Sequence, residues 1–445
     1  VDVRATAAQN TQDLAFLSRA ASAIGVSLNE VESSTEEVKI LLKHVINRLE
    51  PAQPTKVAPK PRGLPVAEHW HITRESKVKE TVAALFLNDR HEEFPVGVVA
   101  LVGPGGAGKT RVAATVARSD QVRTFFCDGI LWMSVGDGAI DRLQTLILQV
   151  AEMMHGQVMG GKGRPPPEAS FPCPAVGASY IRRMVEERNL RCLLVADNVW
   201  DAAVVDLLLQ AGLWVLLTTR DSKVLDQAGG AIVDMGALDT FEAEQLLRQA
   251  AELEDNTRLP HVAYDVMERC DFLVMDISFV GRWSDVRGSS EEHDWQSVLD
   301  NISRQDEEIR KEEALKGFED GGGKGSSPPT ARRHAILRAG FEEMQNKQHR
   351  HLYMSLAVFP KGSTFSVDDV AVLLHDTTDI HGERVGLNSR ARAKQDAKRL
   401  TESLEGWAIL GRQGENRYSL HDAHADFVKR WVWNFPELRE RCIKR

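Results

Sequence analysis

The chain has 445 residues, 42% of them hydrophobic and 27% charged, with a formal net charge of -9. That length holds two to four domains with their own cores, and the composition is that of a globular protein. Its apolar runs are too short to span a bilayer, no N-terminal secretory pattern is present, and the negative balance argues against nucleic acid as a generic partner.

Five cysteines (Cys127, Cys173, Cys192, Cys270 and Cys442) lie scattered without a CxxC pair. The pattern predicts reduced thiols in a cytoplasmic compartment, not a disulfide frame or a zinc site. The chain begins at Val1 and ends without an evident cap, which predicts a piece of something larger.

Residues 1–50 predict a helical N-terminal segment, with one apolar stripe through Leu14, Leu17, Ala21, Ile24 and Leu28 and another from Val38 to Leu49. A Pro-rich linker follows over 51–67. Over 68–236 strand and helix patterns alternate, which predicts a parallel sheet with helices on both faces. Its strands are Val96–Val102, Gly129–Val135, Arg191–Asp197, Trp214–Thr219 and Ala231–Met235, and Gly160–Gly177 reads as a surface loop. Residues 237–320 turn helical and acidic, and the Gly/Ser/Pro run 321–330 marks a flexible break. From 331 to 435, helices near 331–343, 348–358, 367–374 and 390–405 precede two short apolar runs, 407–412 and 417–421. Helices followed by a β-hairpin outline a winged helix.

Within that frame, Gly103-Pro104-Gly105-Gly106-Ala107-Gly108-Lys109-Thr110 fits G-x-x-x-x-G-K-[ST] between a strand and a helix. Glycines let the backbone wrap phosphate oxygens and aim N–H groups inward, and the helix start adds positive potential. Lys109 would neutralise the β- and γ-phosphates, and the Thr110 hydroxyl would be a ligand of Mg²⁺. Leu193-Leu194-Val195-Ala196-Asp197 is a strand ending in a carboxylate, placing Asp197 at the crevice as the metal partner of Thr110. Asn198 follows where such ATPases often carry a second acid. It cannot take a proton from water, which predicts slow hydrolysis. Arg220 ends the strand from Trp214 and can sense a γ-phosphate.

These motifs, in this order, resemble the NB-ARC (AP-ATPase) branch of the STAND signalling ATPases, which includes plant disease-resistance proteins and apoptosome scaffolds. Residues 194–201 resemble its kinase-2 motif and 217–224 its sensor motif. Ile72-Thr73-Arg74 is similar to its Val-x-Arg element by the adenine and ribose, and Leu420-His421-Asp422 to its Met-His-Asp motif. The resemblance covers roughly 65–435. It implies an α/β P-loop NTPase domain with a parallel sheet, then an all-α helical domain and a winged-helix domain. It also implies that ADP or ATP is held by Ile72, Arg74, Gly103, Gly105, Gly106, Ala107, Gly108, Lys109, Thr110, Arg111, Val274 and His421. Two departures stand out. Val274 occupies the proline position of the family's Gly-Leu-Pro-Leu motif, and Asn198 replaces the second acid.

The resemblance implies a switch that is closed with ADP, where His421 touches the β-phosphate, and open with ATP, where Arg220 and Mg²⁺ gather the γ-phosphate. Lys109, Asp197 and Arg220 would carry weak ATPase chemistry. The open form would self-associate and gather N-terminal effector partners. An ADP-locked scaffold without hydrolysis is the first alternative. The second is a DNA-binding regulator that uses the basic stretch Arg384, Arg390, Arg392, Lys394, Lys398 and Arg399, although Ala393, Ala397, Leu400 and Leu404 supply a packed side that favours a solvated helix face.

Overall fold

The apolar run before the glycine loop forms a strand, β1 (Val98–Val102), because both of its faces are covered: four of its five residues are buried. The computed structural model describes residues 57–61, 63–65, 72–87, 97–158, 171–283, 286–319, 328–344, 346–374, 390–413 and 416–433, with the backbone alone at 87, 313–319, 328–331, 390–393 and 431–433. The expected N-terminal helices, most of the 51–67 linker and the glycine run 321–327 lie outside the described residues.

The chain divides into two units. The first comprises 1–64, 73–103 and 109–235. After α1 (Glu75–Leu87) and β1 come α2 (Lys109–Arg118), α3 (Asp120–Phe125), β2 (Gly129–Ser134) and α4 (Leu143–Met153), then α5 (Pro174–Glu187) and β3 (Cys192–Val199). The unit closes with α6 (Ala202–Gln210), β4 (Trp214–Thr219) and β5 (Ala231–Asp234). The five strands form one sheet in the order β2-β3-β4-β1-β5, and every pairing is parallel. All strands therefore end at one edge, where open α/β sheets bind ligands. Strand β4 lies between β1 and β3, so its last residues separate the loop after β1 from the carboxylate on β3.

One difference from the sequence reading concerns the Gly/Pro loop. Residues 174–177 already belong to α5, because Pro174 stands in the first helical turn, where its missing N–H has no intrahelical partner to lose.

The second unit comprises 65–72, 104–108 and 236–445. Its helices are α7 (Thr240–Ala250), α8 (His261–Arg269), α9 (Val274–Gly281), α10 (Glu292–Glu319), α11 (Pro328–Glu343), α12 (Lys347–Ser355), α13 (Val367–Leu374), α14 (Arg390–Gly406) and α15 (Asp422–Trp433). A capping box starts α7: Glu242 N–H donates to Asp239 Oδ1 at 2.7 Å, and Glu242 Oε2 accepts from Asp239 N–H at 3.4 Å. Helix α9 is buried from Met275 to Gly281. Its Phe279 faces α11 at Gly340, where an added Cβ would run into the ring, so only glycine lets the two elements approach. Helix α11 begins inside the expected break, with Pro328 and Pro329 in its first turn.

Strands β6 (Thr364–Ser366), β7 (Leu410–Arg412) and β8 (Arg417–Leu420) form an antiparallel sheet in the order β6-β8-β7. With α12 to α14 this is a winged-helix arrangement. The β7–β8 hairpin matches the two apolar runs. Strand β6 is too short to show periodicity and exists through its pairing with β8. Among the described residues no helix is long and apolar enough to cross a membrane.

Candidate functional site

In the first unit the loop leaves β1 at Gly103. Its N–H donates to the Thr219 carbonyl at 3.3 Å, and a Cβ there would lie 2.9 Å from the Met235 carbonyl oxygen, so the position requires glycine. Lys109 opens α2, and its Nζ donates to the Gly103 carbonyl at 2.7 Å. The ammonium is thereby folded back over the start of the loop. Thr110 Oγ1 donates to Asp197 Oδ1 at 2.8 Å, joining the two expected metal ligands across 87 residues of sequence. Arg111 is half-buried. Burial, and then the charge of Arg118, push its guanidinium down to about 10.

Thr218 was not singled out in the sequence, yet it organises this edge. Its hydroxyl donates to Asp197 Oδ1 at 2.7 Å and accepts the Asn198 N–H at 2.8 Å. The β3–β4 register slips between Ala196 and Val199, and Asn198 within the slip has φ of 63°. Asparagine tolerates that left-handed conformation better than most side chains. The residue after Asp197 thus answers a backbone demand as well as a chemical one. Arg220 lies with its guanidinium carbon 5.1 Å from the Trp200 ring centre, a stacking that holds the side chain at the end of β4. Arg74 is 5% exposed, and its carbonyl accepts the Val78 N–H in the first turn of α1.

In the second unit, loop residues Gly106 and Gly108 have φ of 83° and 89°, which is what turns successive amides the same way. Gly105 and Ala107 are buried, and Ala107 N–H donates to the Pro104 carbonyl at 3.3 Å. The Gly106 carbonyl accepts the N–H of Met275 at 3.1 Å. Val274 is the first residue of α9, and its Cγ2 lies 3.5 Å from where a Gly108 Cβ would be. The first helical position is where proline fits best, and valine there packs its side chain against the loop at Gly108. Ile72 is buried in the same core.

His421 precedes α15. Its N–H donates to Ile409 O at 3.3 Å, its carbonyl accepts Ala425 N–H at 2.9 Å, and its ring lies beside Gly411. Next to it His424 is fully buried, with Nδ1 2.6 Å from the Tyr353 hydroxyl. Burial, followed by the charges of His421 and Arg333, pushes the His424 imidazole well below its ordinary range and keeps it neutral.

Asp276, in the first turn of α9, and Arg333, on α11, were also not anticipated. Arg333 Nε donates to both Asp276 oxygens at 3.1 and 2.9 Å. Burial raises the Asp276 carboxyl to about 6, with Arg333 pulling the other way. An acid in an otherwise apolar helix was a legible anomaly. Its partner 57 residues away was not.

A parallel sheet with a Lys-Thr glycine loop after one strand and, at the same edge, a carboxylate bonded to that threonine is the fold of a P-loop NTPase. Residues 74–253 match the family model for the NB-ARC domain. The chain is 25% identical over 226 residues to the disease resistance protein RPM1 of Arabidopsis thaliana, covering 46% of this chain and 23% of that protein. It is 31% identical over 184 residues to the regulatory protein AfsR of Streptomyces griseus, covering 41% and 18%. The crystal structure of a STAND protein with a tetratricopeptide repeat sensor from Pyrococcus horikoshii shares the fold at a TM-score of 0.51 and 15% identity, covering 87% of this chain and 47% of that one. The chain thus spans less than a quarter of either curated relative and about half of the solved one. Residues 74–253 are therefore similar to the NB-ARC domain, and the chain shares its fold with the solved STAND protein.

Proposed function

We propose that this chain is the nucleotide switch of a signalling protein of the STAND type, closed with ADP and open with ATP, in which hydrolysis is slow and acts as a timer. The observation that carries the reading is the Thr110–Asp197 pair at 2.8 Å beside the Lys109 loop. Hydroxyl and carboxylate are the hard oxygen donors that Mg²⁺ takes. Among the described residues no cluster of three or more His, Cys, Asp and Glu could hold a metal ion, so nucleotide phosphates and water would complete the coordination.

In this reading the loop glycines and Lys109 bind the phosphates. Gly105, Ala107 and Arg111 shape and charge the cradle, Ile72, Arg74 and Val274 bound the base and ribose, and His421 senses ADP. Arg220 senses the γ-phosphate. Asn198 carries no carboxylate to activate water, so turnover stays far below the roughly ten per second of a typical enzyme. The switch moves only by the difference in nucleotide affinity between its two states. Its open form would self-associate and gather effector partners.

A DNA-binding role draws no support from the described part of the basic stretch, Arg384 and the side chains of Arg390 and Arg392 lying outside it. Lys394 pairs with Asp368 at 2.9 Å, and Lys398 and Arg399 face Glu402 and Asp396 at 3.9 Å. Those charges are engaged along the helix surface.

The test is the nucleotide that co-purifies. Denatured wild-type protein is expected to release ADP, and the folded Lys109→Ala variant little or none. Well-folded wild-type protein that releases no adenine nucleotide, and takes up none when ADP is added, refutes the reading.

A further inference from the structure

A second basic side chain stands at the glycine loop. Arg333 belongs to no motif, yet its Nη2 lies 3.8 Å from the point that a Cβ on Gly106 would occupy. The side chain is oriented from behind. Its Nε donates to both oxygens of Asp276, which is 2% exposed. A guanidinium has five N–H donors, one of them on Nε. The other four, on Nη1 and Nη2, make no hydrogen bond to any described residue. A pair built only for stability would present its forked end to the carboxylate, where two parallel bonds form. Here the carboxylate takes the single Nε–H, and the forked end that matches phosphate oxygens is left open.

Loop and arginine are referenced to the same short helix. Met275 N–H donates to the Gly106 carbonyl, and Asp276, the next residue, holds Arg333. Any shift of α9 moves both together, which fixes the spacing between the loop amides and the guanidinium. Four N–H donors of a cation, with Nη2 3.8 Å from the Cβ position of a loop residue held at positive φ, make a site for an anion.

We propose that Arg333 is a further phosphate ligand of the loop 104–108, with Asp276 as its positioning residue, and that it makes the site favour phosphorylated over unphosphorylated adenosine. The inference rests on the nucleotide reading above and names a residue that reading did not include.

The experiment compares affinity for a fluorescent ADP and for the matching fluorescent adenosine, with inorganic pyrophosphate as a competitor. Removing Arg333 alone would strand a buried carboxylate and threaten folding. The decisive protein is therefore the double variant Arg333→Met with Asp276→Asn, which replaces the pair by neutral groups of similar size. Arg333→Lys, which keeps the charge without the fork, serves as the second variant. One charge-assisted contact corresponds to a change of about tenfold to a hundredfold. The preference for ADP over adenosine should fall by that factor in the double variant and by less in Arg333→Lys, with adenosine affinity unchanged in both. Asp276→Asn alone should lower the preference by less than the double variant, because asparagine keeps one of the two oxygens that hold Nε and orients the guanidinium less firmly. If the wild type binds ADP, Lys109→Ala abolishes that binding and the Arg333 variants keep the wild-type preference, the nucleotide assignment stands and the role of Arg333 is overturned. A wild type that binds neither ADP nor pyrophosphate overturns both.

Discussion

Replacing Asp276 by asparagine should make the protein more tolerant of neutral pH, and the size of the effect follows from its surroundings. The carboxyl is 2% exposed and raised from 3.8 to about 6, because loss of hydration outweighs the attraction of Arg333. Between those two values the folded state holds a proton that the unfolded state has released. Stability from this group is therefore fully present below pH 4 and is lost as pH rises through 6. A shift of about two units at roughly 1.4 kcal/mol each gives a loss of about 3 kcal/mol. Asparagine cannot ionise, so the variant escapes that loss while still accepting a hydrogen bond from Arg333. The stability of Asp276→Asn minus that of wild type should rise by about 3 kcal/mol from pH 4 to pH 7. Taking the difference cancels the other carboxylates. Since the chain has two units and a single global unfolding step is not assured, the readout is the urea dependence of hydrogen exchange in α9. A difference that is flat across this range, or that runs the other way, refutes the argument that desolvation dominates at Asp276.

Two further outcomes are expected. Thr218→Val should lower stability by about 2 kcal/mol by removing the bonds to Asp197 and the Asn198 N–H, whereas Thr218→Ser should hold close to wild type. Equal melting temperatures for wild type and the valine variant would deny Thr218 its organising role. Glu252 is drawn down to about 2, first by its hydrogen bond to Arg287 and then, against burial, by Arg282. Its contribution is present above pH 4.5 and lost as pH falls through 2, so Glu252→Gln should cost stability at pH 7 and nothing near pH 2. A cost that does not change between pH 7 and pH 2 in urea melts would contradict that pairing.

The fold was legible where local chemistry repeats. Five apolar runs became the five parallel strands: in β1 to β4 burial on both faces demands unbroken hydrophobic sequence, whereas the edge strand β5 buries only Val233. Strand β6 escaped notice because three residues carry no period. The loop Gly103–Thr110 announced itself, since its glycines answer a purely local backbone need at Gly106 and Gly108. Asp197 could be placed from its apolar strand, although that strand runs on past a register slip to Val199.

The sequence by itself determined the nucleotide-type loop, the alternating sheet and helices, and the hairpin at the wing, because each rests on spacing within a dozen or so residues. Only the tertiary structure decided that Thr218 would bridge Asp197 and Asn198, that Val274 would open a helix against Gly108, and that Arg333 would meet Asp276 beside Gly106. Those pairings join residues from about twenty to more than two hundred positions apart. Periodicity and motif spacing hold no information over that range, and packing alone sets which groups meet.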